Sequence, residues 1–169
     1  EVCLRAVLDC RWQDVNFVQL IPGVMAGEFD VVLGGIAVTP ERRDMVDFTA
    51  IYHTTDPYEW YIGRPGAPEP SAAMTAVQSG TMQESHLRHM GYRHLSFTTE
   101  PEVLEALQSG KADLALGPFE TRQEIRDFAA ENGFDFLFSE PIPDEGVAMA
   151  VCKGNDALLT TLNTALEGI

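Results

Sequence analysis

The sequence predicts an α/β protein built in two lobes, and three observations carry that expectation. Residues 73–138 alternate short apolar runs with capped helical segments, which reads as βαβαβαβ. Incomplete α/β pieces flank this unit, at 1–53 and 147–169, so one lobe is discontinuous and joined to the other by two crossings. A strand ending also occurs twice: GEFDVVLGG at 27–35 and GKADLALGP at 110–118 share Gly, Asp, Leu and Gly at the same spacing. In open α/β sheets, ligands bind beyond the carboxyl ends of strands. The two endings are therefore candidate halves of one site, with glycine allowing a ligand close to the backbone.

Each element has a local reason. Asn16 is placed to cap a helix carrying Leu20, Ile21, Val24 and Met25, although Pro22 sits awkwardly inside it. Gly27 ends that helix, and residues 29–33 read as a strand buried on both faces. Residues 51–62 are rich in Tyr and Trp and are broken by Asp56-Pro57, and 64–71 (RPGAPEPS) read as a surface loop. A strand is expected at 73–77, then a helix from Thr81 with Glu84 completing a capping box. A strand at 95–97 leads to a second box, Thr99 with Glu102, and a helix over 102–108. Further strands are expected at 112–116, 134–138 and 147–151, and helices at 119–130 and 157–166. The domain reading is 1–53 with 147–169 for lobe one, 58–138 for lobe two, and crossings at 54–57 and 139–146.

The bulk chemistry narrows the function. A net charge of −15 repels polyanions, so nucleic acid and anionic membrane are excluded as partners. The chain has three cysteines. The spacing of Cys3 and Cys10 leaves both a disulfide and two reduced thiols open. No nucleophile elbow, phosphate loop or paired carboxylates appear, so no catalytic residue is assigned, and neither cofactor nor metal is expected. His86 and His89, three apart beside Glu84, read as exposed polar helix before they read as a metal pair. Trp12, Phe17, Tyr52 and Phe119 are each either pocket lining or core.

Two anion-friendly features remain. Arg42 and Arg43 are adjacent, so only one of them can face the strand ends. That residue either grips a carboxylate through paired charge-assisted bonds or belongs to a solvated helix start. The second feature is the strand-to-helix junction at 78–83, either an anion site at a helix start or an N-cap.

Four segments carry a resemblance to a known family: LIPGVMAGEFDVVLGGIAVTPERRDMVDFT, VQSGTMQE, LQSGKADLAL and GVAMAVCKGNDALLTTLNTALEGI. Together they resemble the periplasmic amino-acid-binding proteins, the polar amino-acid receptors of ABC transporters (extracellular solute-binding protein family 3). The resemblance implies a two-lobed type II periplasmic binding fold that closes on its ligand and docks on an inner-membrane permease. It implies a periplasmic protein that binds a small amino acid or related carboxylate, not an enzyme. It also implies a Cys3–Cys10 disulfide, leaving Cys152 a free thiol.

By position, the resemblance assigns Arg42 to the ligand carboxylate and 34–37, with Gly34, Gly35 and Ala37, to main-chain contacts. Phe17 becomes the aromatic on the ligand side chain, and Thr81 and Met82 the helix-start residues of lobe two. Pro118 stands where many members place an aspartate for the ligand ammonium. The implied ligand is then a carboxylate and not necessarily an ordinary α-amino acid, with Glu120 as a candidate substitute for the lost charge. Against the family, the chain lacks the first strand and the C-terminal tail of lobe one. A fragment, a domain-swapped dimer and the ordered part of a longer chain all fit that expectation. Two rivals share the fold: a dehydratase of cyclic acids, using Glu120 or His53, and the sensing domain of a membrane receptor.

Overall fold

The computed structural model describes residues 1–119 and 121–167. The chain divides into two compact units, Glu1–Thr55 with Asp144–Ile169, and Asp56–Pro143.

The first unit begins with helix α1 (Val2–Arg5), tied back by the disulfide between Cys3 and Cys10. Asn16 opens a 3-10 turn at Phe17–Gln19, its N–H donating to Gln19 Oε1 at 3.1 Å. Helix α2 (Leu20–Met25) starts only after that turn. Pro22 therefore falls in the first helical turn, where an N–H has no intrahelical partner to lose. The strand expected over 29–33 shortens to β1 (Val31–Val32), and Leu33 is exposed. The cause is the pair behind it: Gly34 and Gly35 take φ values of 146° and 70° and turn the chain at once. Ile36 and Val38 then return to the core.

Helix α3 (Pro40–Met45) follows, with Thr39 as cap and Pro40 at its first position, and it runs into β2 (Val46–Phe48). The late strand β8 (Ala150–Cys152) lies between β1 and β2, antiparallel to both. It is shorter than expected over 147–151; Val147 instead makes isolated bridges to Ala37 and His53. Helix α7 (Asp156–Leu166) closes the unit, with Asn155 Oδ1 accepting the Leu158 N–H. The core packs Val24, Val32, Ile36, Val38, Val46 and Phe48 onto Ala148 and Ala150. Cys152 is a free thiol.

The second unit contains β3 (Tyr58–Gly63), β4 (Thr75–Gln78), α4 (Met82–Met90), β5 (His94–Phe97) and α5 (Glu100–Gln108). It continues with β6 (Leu114–Gly117), α6 (Gln123–Asn132) and β7 (Asp135–Pro141). The sheet order is β5-β4-β6-β3-β7. Strand β4 is parallel to β5 and β6, as the alternating pattern requires. Strand β3 is inserted antiparallel between β6 and β7. Helices cover both faces. Ile62, Ala76 and Ala115 pack with residues of α5 and α6, while Tyr61, Val77, Leu114 and Leu116 pack with Leu87 of α4.

The Thr99–Glu102 capping box forms as expected, with α5 starting at Glu100 rather than at 102. The helix expected from 119 starts at Gln123, because Phe119 is drawn into the core at 1% exposure.

Candidate functional site

In the first unit, Phe17, Ala37 and Arg42 come together. The backbone dictates this arrangement. Gly34 and Gly35 turn the chain, 36–38 re-enter the core, and Thr39 then starts α3 so that Arg42 lies on its inner side. Arg42 is 7% exposed, whereas Arg43 is exposed and pairs with Glu145 at the surface. The Arg42 Nη1 donates to the Ala37 carbonyl at 2.8 Å, and the guanidinium carbon lies 5.7 Å from the centre of the Phe17 ring. The Arg42 N–H meets Thr39 Oγ1 at 3.3 Å. Burial lowers the pKa of the guanidinium, and the charges of Glu41 and Asp144 offset part of that effect. Arg42 is thus the adjacent arginine turned inward, against main chain and an aromatic face. Gly34 and Gly35 lie at the turn before it and are exposed.

Thr81 and Met82 form the start of α4 in the second unit. Thr81 Oγ1 accepts from Glu84 N–H at 3.2 Å and donates to the Gln78 carbonyl at 2.7 Å. The capping box expected here is altered, because the Glu84 carboxylate takes the Gly80 N–H at 2.8 Å. Its other oxygen receives the Ser96 hydroxyl at 2.6 Å. A carboxylate therefore already answers part of the positive end of this helix. Met82 is half-buried against the α4-side core.

Pro118 is exposed just beyond β6, inside a tight turn in which the Phe119 N–H reaches the Gly117 carbonyl at 2.8 Å. The expectation that Gly117 admits a ligand is corrected. A Cβ there would stand 2.5 Å from the Phe119 ring, so the chain's own side chain fills the space. Of the other aromatics, Trp12 and Tyr52 are exposed. His53 is also exposed, and Glu120 lies outside the described residues.

The second unit also holds a polar network that no spacing in the sequence announces. Glu140 on β7 accepts the Tyr61 hydroxyl at 2.6 Å, His86 Nε2 at 2.8 Å and the Tyr92 hydroxyl at 3.2 Å. His86 is therefore tied to a carboxylate rather than exposed, and it stacks edge-on with Tyr92. Among the described residues no group of three His, Cys, Asp or Glu side chains is placed to hold a metal ion.

Burial alone would raise the Glu140 carboxyl. The hydrogen bonds from Tyr61 and His86, the His86 charge and the Tyr92 hydroxyl outweigh it, holding the group below the usual carboxylate value. Such a group contributes stability that is complete above the unfolded-state pKa and is lost as pH falls through the folded-state value. Thermal unfolding followed from neutral pH downward should show this loss, with a shallower slope for Glu140→Gln. Identical slopes would reject the contribution.

Comparison with known proteins gives a consistent picture. Residues 1–69, which include the LIPGVM…DMVDFT segment, match the model for bacterial extracellular solute-binding proteins, family 3. The L-arginine-binding protein of Pseudomonas aeruginosa is 24% identical over 99% of this chain and 70% of its own length. An arginine-specific periplasmic binding protein of Salmonella typhimurium superposes with a TM-score of 0.85 at 22% identity, over 99% of this chain and 78% of that one. A periplasmic His/Glu/Gln/Arg/opine family-binding protein from Silicibacter pomeroyi, solved with lysine, superposes with a TM-score of 0.83 at 24% identity, over 99% and 75%. The α/β fold is that of these type II periplasmic binding proteins, and the disulfide implied by the resemblance is present.

Proposed function

We propose, from the likeness to bacterial extracellular solute-binding proteins of family 3, that this chain is an extracytoplasmic receptor for an amino acid or related small carboxylate. It passes its ligand to an ABC-transporter permease. The observation that carries this reading is the buried Arg42, set against the Ala37 carbonyl and the Phe17 ring within the family-matched residues 1–69. A guanidinium held this way presents a fixed fork that fits a carboxylate with two parallel charge-assisted bonds. Phe17 offers an aromatic surface beside it for the rest of the ligand. The Cys3–Cys10 disulfide fits an oxidising, extracytoplasmic compartment.

On this reading Phe17, Gly34, Gly35, Ala37 and Arg42 are the ligand-binding residues of the first unit, and Thr81, Met82 and Pro118 are those of the second. The chemistry is recognition without turnover. The test is isothermal titration of the purified chain against the proteinogenic L-amino acids and their des-amino analogues, with arginine and lysine first because the named relatives bind them. Saturable one-to-one binding of at least one compound is expected. A panel with no binder, on folded protein, would reject the reading.

A further inference from the structure

We propose that the outer edge of strand β5 takes an extended acidic peptide segment as an added strand. Strand β5 lies at one side of the second unit's sheet, and among the described residues no strand lies beyond it. Its ladder to β4 fixes which main-chain groups that edge presents. The Arg93 carbonyl accepts the Thr75 N–H at 3.1 Å, and the Phe97 carbonyl accepts the Ser79 N–H at 2.8 Å. Main-chain groups alternate sides along a strand. Leu95 therefore also turns to β4, while His94 and Ser96 turn outward, each with an N–H and a C=O. Ser96 is exposed and His94 half-buried. An edge of this kind is a template for one more strand.

The charge beside the edge selects the occupant. Residues 85–99 contain Arg88, Arg93 and three histidines but no Asp or Glu, in a chain whose net charge is −15. Arg93 is exposed directly before β5, its guanidinium donating to the Ala72 carbonyl at 2.6 Å. Arg88 reaches the same strand through Glu84. One oxygen of that carboxylate receives the Ser96 hydroxyl at 2.6 Å, and the other lies 3.6 Å from the Arg88 guanidinium. The Gly80 N–H meets Glu84 as well, at 2.8 Å, and Arg88 stays exposed. Side chains alternate faces along a strand, so His94 and Ser96 share the face turned to α4. Leu95 and Phe97 share the other, where Phe97 and Leu104 pack against the core under α5. An added strand alternates in the same way: acidic side chains meet Arg88 on one face, and apolar ones lie along Phe97 on the other. A second copy of this chain does not fit, because pairing two β5 edges about a two-fold axis sets the same arginines in one interface. Long polyanions are repelled by the rest of the chain, whereas a short segment senses charges within a screening length of about 8 Å at physiological salt.

The test is fluorescence anisotropy at neutral pH with a labelled hexapeptide that alternates Glu and Val. A Lys-Val hexapeptide and the fully N-methylated Glu-Val peptide, which has no N–H to donate, are the controls. The Glu-Val peptide should saturate the chain and bind at least about tenfold tighter than either control. Amide hydrogen exchange should slow at His94 and Ser96 when it binds. Arg88→Glu should weaken binding by at least about tenfold, and Arg88→Gln by less. Arg88 is exposed near the end of α4, so both variants keep the fold, with far-ultraviolet dichroism as the check. A Glu-Val peptide that does not saturate, or binds no better than the controls, overturns the proposal. So does unchanged affinity in both Arg88 variants. A dimer seen by light scattering that protects the same two amides without peptide overturns it in favour of a second copy.

Discussion

Replacing Arg42 with alanine is expected to weaken ligand binding by about 2 kcal/mol or more, roughly 30-fold, while leaving a folded protein. The expectation rests on burial. A charge pair exposed to water contributes little, because solvent screens it and two long side chains must be ordered. Arg43, exposed and paired with Glu145, is the internal control: its substitution should leave affinity nearly unchanged. Arg42 differs because burial has removed most of its hydration, and the Ala37 carbonyl and Phe17 ring fix its direction. Arg42→Lys should recover only part of the loss, since an ammonium cannot match a carboxylate with two parallel donors. Calorimetric titration of the three variants, with far-ultraviolet dichroism as the check on folding, measures this directly.

The largest effect on stability is expected at Phe119. Its ring is 1% exposed and packs with Ile62, Ala76, Val103, Ala106 and Ala115, and it also covers Gly117. Phe119→Ala should cost about 3–5 kcal/mol, from lost transfer energy plus the cavity left behind. Urea unfolding should show a lower midpoint for the second unit. A loss below about 1 kcal/mol would mean that the ring is not the anchor of this strand end. Gly117→Ala should destabilise through the opposite fault, a methyl pressed into the ring.

What the sequence reveals depends on how far apart the interacting residues lie. The Thr99–Glu102 box is local, spanning three residues, and is legible in the sequence, whereas Asn16, expected to cap the helix carrying Leu20, caps a 3-10 turn ahead of it instead. The βαβ alternation was legible because each helix and strand repeats its own period over several residues. Strand β3 is not legible in this way, because an antiparallel insertion between β6 and β7 is decided by partners more than fifty residues away. The helix start at Gln123 differs from the expected 119 for a related reason: Phe119 has the apolar character of a helix face, but tertiary packing takes it instead.

The candidate site divides along the same line. Arg42 follows from LGGIAVTPERR, where a glycine turn, a core return and a capped helix start are contiguous. Glu140 is separated from Tyr61 by 79 residues and from His86 by 54. No spacing rule links such pairs.

The most direct examination of the account sets L-arginine against agmatine, which lacks only the carboxyl group, on wild type and on Arg42→Ala. If the guanidinium at 42 meets the acid group of the guest, wild type should discriminate by at least about 30-fold, and the variant should hold the two compounds almost equally. A variant that still separates them as sharply as wild type would show that the acid group is recognised elsewhere, and the assignment of Arg42 would be wrong.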